Sequence, residues 1–102
     1  MYSIVAYVPE SHLEILKKAL LSKGAGKYKN YDMCCWEVKG TGQFRPFDGA
    51  SPFIGNIGEL EKVVEYRIEL ICKKKYLKKV IKELKRVHPY EQPAYSVFKI
   101  IF

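Results

Sequence analysis

The change of hydrophobic period along the chain constrains its fold more than any other feature. Residues 61–72 alternate, with Val64, Tyr66, Ile68, Leu70 and Cys72 on one side and Val63, Glu65, Arg67, Glu69 and Ile71 on the other. That period of two reads as a strand with one buried and one more polar face. Directly after it, Leu77, Val80, Ile81, Leu84 and Val87 recur at helical spacing over 74–87. The N-terminal third follows the same plan. Residues 2–8 read as a strand, and Leu13, Leu16 and Leu20, widened by Ile15 and Ala19, read as a helix. The helix starts either at Pro9, suited to a first turn, or at a capping box in Ser11-His12-Leu13-Glu14. It ends at Gly24-Ala25-Gly26, where Gly24 suits a left-handed cap. Residues 31–39 and 94–101 supply two more strands, the last one after His88-Pro89-Tyr90-Glu91-Gln92-Pro93 stops the second helix. The order βαββαβ predicts an α+β, ferredoxin-like sandwich: a four-stranded antiparallel sheet with two helices on one face. The opposite face, carrying Trp36 or Tyr31, Val63 and Ile71, is left for a loop or another subunit to cover.

Residues 40–58 read as a long loop, nearly a fifth of the chain, with five of the seven glycines and two of the five prolines. Connections in compact domains usually run about 4–6 residues. Phe44, Phe47 and Phe53 give this one anchoring area that a flexible linker does not need. It is expected to be ordered over a ligand, a subunit or its own sheet, within a single domain spanning 1–102.

At 102 residues the chain has room for one modest core. It has no apolar run of the roughly 20 residues a membrane span needs. Met1-Tyr2-Ser3-Ile4-Val5 lacks a basic signal-peptide start. With three cysteines, an odd number and two of them adjacent, these features make a cytoplasmic location the expectation. The net charge of +7 sits entirely in residues 73–86, where eight Lys/Arg face only Glu83; the remaining ten basic and ten acidic side chains cancel. Such a helix is either a solvated face or a footprint for non-specific nucleic-acid binding. No RNP consensus accompanies it, so no specific nucleic-acid partner is expected.

Chemistry-bearing motifs are few. No catalytic residue, metal ligand or cofactor is assigned. Cys34, Cys35, Cys72, His88 and Glu91 lack zinc-site spacing, and Gly40-Thr41-Gly42 is not followed by a phosphate-binding G-K-[ST]. The glycines can still form an anion-binding nest beside Arg45, whose fork suits a carboxylate or phosphate. His88 lies at a helix C-terminus, where the dipole favours an imidazolium. It reads either as a cap or, with Tyr90 and Glu91, as a ligand-binding or proton-handling group. Arg45 either binds a small anionic ligand or pairs with Glu91.

The segments Val8-Pro9-Glu10, Gly24-Ala25-Gly26, Asn30-Tyr31, Gly40-Thr41-Gly42-Gln43-Phe44-Arg45-Pro46, Pro52-Phe53-Ile54-Gly55 and His88-Pro89-Tyr90-Glu91-Gln92-Pro93-Ala94-Tyr95 resemble the insert domain of the NGG-interacting-factor-three-like proteins, the type-two GTP cyclohydrolase I homologues. That module is similar to PII and CutA proteins. The resemblance implies a self-associating module, a trimer first. It implies that the family's two-metal centre belongs to flanking domains without counterpart here. It marks Gly40, Gly42, Phe44, Arg45, His88, Tyr90 and Glu91 as ligand-binding candidates. The function expected is a non-catalytic binding or regulatory module. The alternatives are a hydrolase or metal-dependent activity between the 40–58 loop and His88, or non-specific nucleic-acid binding through helix 74–87.

Overall fold

A computed structural model describes residues 1–102. The elements are β1 (Tyr2–Pro9), a 3-10 turn (Glu10–His12), α1 (Leu13–Ser22), β2 (Trp36–Phe44), β3 (Glu61–Cys72), α2 (Lys74–Val87) and β4 (Tyr95–Lys99). The strands form one antiparallel sheet in the order β2-β3-β1-β4, the expected ferredoxin-like arrangement.

Alternation in β1 and β3 explains the layering. Ile4, Ala6 and Val8 of β1 and Ile68, Leu70 and Cys72 of β3 point to one side. There they meet Leu13, Leu16 and Leu20 of α1 and Val80 and Leu84 of α2 in a single core. Ile4, Leu16, Leu20, Ile68 and Leu84 are fully buried, each contributing about 1.5–3 kcal/mol relative to exposure. The Lys17 ammonium on α1 reaches the Glu37 carboxylate on β2 at 2.6 Å and ties helix to sheet. That hydrogen bond is the main reason its pKa is raised.

β3 and α2 keep their expected bounds, and other expectations are corrected. The capping box does not form: α1 has no side-chain cap, and Ser11 Oγ is hydrogen-bonded to its neighbour His12 Nδ1 at 2.8 Å. The helix end does form as expected. Ala25 N–H and Gly24 N–H donate to Leu20 O and Leu21 O at 3.3 and 3.2 Å, with Gly24 at φ +116°. β2 lies five residues later than the expected 31–39. Met33 has φ +57°, which a strand cannot accommodate. The ladder instead pairs Trp36 with Glu69 through to Phe44 with Glu61. Residues 40–44 are therefore strand, and the connection to β3 runs over 45–60. Gly40 and Gly42 read as loop because glycine is poor in strands, but nine cross-strand partners override that preference. β4 ends at Lys99, opposite Tyr2, where the ladder gives way to a single backbone bond from Ile100 N–H to Met1 O at 3.0 Å.

Candidate functional site

The second sheet face carries Tyr7, Val38, Glu65, Arg67, Glu69 and Phe98, by the registers Tyr7↔Arg67↔Val38 and Ser3↔Phe98. The connection 45–60 roofs one end of it. Gly58 N–H donates to the carbonyl of buried Pro46 at 2.7 Å and pinches the loop shut at its base. Ser51 N–H donates to Glu91 Oε2 at 3.0 Å, tying the loop to the segment after α2. Phe53 packs edge-on against His12, with ring centroids 5.5 Å apart. The rest of the face stays open: Trp36, Val38 and Phe98 are exposed.

Beneath the roof is a cavity of about 710 Å3. Tyr90 is its pivot. Its ring sits 6.0 Å from Phe44, 6.4 Å from Phe53 and 5.0 Å from His88. Its hydroxyl donates to Glu65 Oε2 at 2.8 Å. Burial first, and that carboxylate second, push the phenol well above its ordinary range, so it stays a donor at any physiological pH. Glu65 Oε1 lies over Gly42, where a Cβ would collide with it. Glycine at 42 thus leaves room for the Glu65 carboxylate to rest where it meets the Tyr90 hydroxyl.

Of the seven ligand-binding candidates, Gly42, Phe44, Arg45, Tyr90 and Glu91 line this cavity, whereas Gly40 and His88 do not. Gly40 and Gly42 are extended within β2, so they form no anion-binding nest. Arg45 is exposed and makes no ion pair, and Glu91 takes the Ser51 amide rather than the guanidinium. His88 is buried at 5% exposure. Tyr90 N–H donates to its Nδ1 at 3.1 Å, so Nδ1 is an acceptor and Nε2–H donates to Tyr7 O at 2.7 Å. A neutral imidazole satisfies both bonds, whereas an imidazolium would set two donors face to face at Nδ1. Burial lowers its pKa accordingly. His88 holds the C-cap position, its N–H donating to Leu84 O at 2.9 Å, but as a neutral brace between β1 and the Tyr90 turn rather than as the imidazolium that the helix dipole favours.

Tyr7, Asp48 and Glu65 also line it and were not among the sequence candidates. Tyr7 and Glu65 reach the site only through strand register, which no local motif encodes. No three His, Cys, Asp or Glu side chains converge into a metal-binding set. Cys34, Cys35 and Cys72 are free thiols, with burial pushing those of Cys35 and Cys72 up. The α2 lysines lie on the helix side, behind the sheet from the cavity; Lys75 and Lys79 sit over the Tyr76 ring at 5.1 and 5.2 Å. No helix is long and apolar enough to cross a membrane.

No protein-family model matches the chain. Among curated proteins, the GTP cyclohydrolase 1 type 2 homologue of Mycobacterium leprae is 41% identical over 97 residues, which is 95% of this chain and 25% of the relative. The chain thus spans about a quarter of the length of the curated relatives it matches. The crystal structure of a Bacillus cereus protein related to NIF3 superposes with a TM-score of 0.81 at 41% identity, over 95% of this chain and 24% of that one. The PII-like protein CutA from Nostoc superposes with a TM-score of 0.68 over 98% of this chain and 81% of that one, at 14% identity, a likeness of fold alone.

Proposed function

We propose that this chain, which matches one segment of the Nif3-related GTP cyclohydrolase 1 type 2 homologues, is a small-molecule-binding or regulatory module. It acts as a homo-oligomer and performs no chemistry of its own. The observation that carries the reading is the roofed cavity. About 710 Å3 falls within the roughly 300–1,000 Å3 typical of ligand pockets. Its wall is aromatic, and its polar groups converge from β2, β3 and the turn after α2. Arg45 lines it without an ion-pair partner in the chain, so its charge is free to act on whatever the cavity holds. The hydrolase alternative loses its general base, because both ring nitrogens of His88 are engaged in the fold. Cyclohydrolase chemistry, the activity in the relatives' name, would fall to other parts of proteins about four times longer.

Self-association follows from the open half of the sheet. Trp36, Val38 and Phe98 are 55%, 44% and 53% exposed on one face, a patch that a second copy covers; a trimer is the assembly proposed.

Thermal unfolding of wild type and Arg45→Ala with a broad panel of metabolites tests the binding reading, and light scattering tests the assembly. The expected result is stabilisation of wild type by at least one compound, a changed response in a normally folded Arg45→Ala, and a mass well above 11.9 kDa. A panel without any effect, together with a destabilised Arg45→Ala, would make Arg45 part of the scaffold. A monomer at all concentrations would refute the assembly.

A further inference from the structure

We propose that the cavity takes an organic cation, an amine carried on an apolar or aromatic body, and that Glu65 is its principal anchor. This rests on the small-molecule reading above and names the ligand class. Arg45 taken alone suggests an anion, but it shares the lining with Asp48, Glu65 and Glu91. Three carboxylates against one guanidinium leave a formal balance of −2. An anion entering a partly water-excluded site would meet that field, whereas a cation is drawn to it.

The carboxylates also have free acceptor capacity. Glu65 uses Oε2 for the Tyr90 hydroxyl and Glu91 uses Oε2 for the Ser51 amide; Oε1 of each receives no donor from the chain. Asp48 has no hydrogen-bond or ion-pair partner. Glu65 is half-buried on the sheet floor, and its two existing constraints, the Tyr90 hydroxyl and the bare backbone of Gly42, hold the carboxylate in one place. A fixed carboxylate with a free oxygen beside aromatic rings is the arrangement that recognises ammonium groups. The carboxylate takes the N–H donors, and the faces of Phe44, Phe53 and Tyr90 attract the charge and cover the carbon body. Arg45, exposed on the loop, counteracts the incoming charge and so favours ligands that keep their amine on the Glu65 side.

Two probes of similar size and opposite charge, phenethylamine and 3-phenylpropionate, decide the class. Binding to the intact protein is read by NMR shifts of the Phe and Tyr ring signals and by calorimetry. Phenethylamine is expected to perturb the Phe44, Phe53 and Tyr90 rings and to bind more weakly as salt rises. Glu65→Gln keeps an acceptor for the Tyr90 hydroxyl while removing the charge, and is expected to weaken the amine about tenfold or more. Arg45→Gln gives the sharpest sign: it strengthens binding at a cation site and abolishes it at an anion site. Tighter binding of phenylpropionate at these rings, or loss of binding in Arg45→Gln, overturns the cationic class and leaves ligand binding intact. No ring perturbation by either probe overturns the inference and counts against the cavity as a binding site altogether.

Discussion

Replacing Gly42 by alanine tests the geometry of the cavity floor, and the informative background is Tyr90→Phe. In wild type the Tyr90 hydroxyl bonds Glu65 Oε2 at 2.8 Å while Glu65 Oε1 lies over Gly42. A hydrogen bond to a charged group contributes about 1.5–3 kcal/mol; both side chains here are only half-buried, so the lower end, about 1.5 kcal/mol, applies. Tyr90→Phe loses that amount. A Cβ at position 42 collides with the end of a flexible side chain, so Glu65 swings away and the same bond is lost. Gly42 has no positive φ, and alanine within a strand regains about 0.5–1 kcal/mol of backbone entropy. Gly42→Ala alone is therefore expected to destabilise by about 0.5–1 kcal/mol. On the Tyr90→Phe background the bond is already gone and only the entropic gain remains, so the same substitution should stabilise. The assay is urea unfolding of the four proteins at neutral pH, with midpoints compared at constant slope. A coupling of about 1.5 kcal/mol and a reversal of sign are the expected result. Additivity within about 0.3–0.5 kcal/mol would show that Gly42 does not hold Glu65 against Tyr90.

Two further predictions concern the scaffold. Burial holds the His88 pKa below its ordinary value, so on acidification the unfolded chain takes up this proton first. The residue's contribution to stability is complete above about pH 6.5 and is lost as pH falls from there to the folded pKa. An NMR titration should place its midpoint below that of a free histidine, and a midpoint at or above it would disprove the neutral brace. Gly24→Ala puts a Cβ 2.6 Å from the Tyr76 ring at φ +116°; it should destabilise by at least about 1–2 kcal/mol, or several degrees in Tm. Gly40→Ala faces open space and should stay within about 0.5 kcal/mol of wild type. Equal midpoints for the two variants would contradict the helix-end geometry.

What was legible in the sequence follows from where the information is stored. β3 and α2 were readable to the residue because each carries an uninterrupted period, and the change between them falls at Lys73. β2 was misplaced because its two signals conflict: Tyr31-Asp32-Met33-Cys34-Cys35 looks like a strand and Gly40-Thr41-Gly42 like a loop. Pairing with β3, a non-local interaction, decides between them. The site was half legible for the same reason. Phe44, Arg45, Tyr90 and Glu91 lie in motifs that interrupt the regular elements, so they stood out. Tyr7 and Glu65 sit inside strands, and only register brings them under the roof. The neutral state of His88 was not legible because its local neighbour, a helix terminus, favours the cation, while the burial that opposes it is invisible in one dimension.

β2 lies at the border of the sheet. Along Trp36–Phe44 one row of amides and carbonyls has no strand beside it, and the nine-residue segment contains no proline and only two charges, Glu37 and Lys39. Natural sheets usually blunt such a border with prolines, bulges or several lysines. This one is left as an open seam, which another extended chain can join without any rearrangement of the sheet, through the alternate amides and carbonyls that face it.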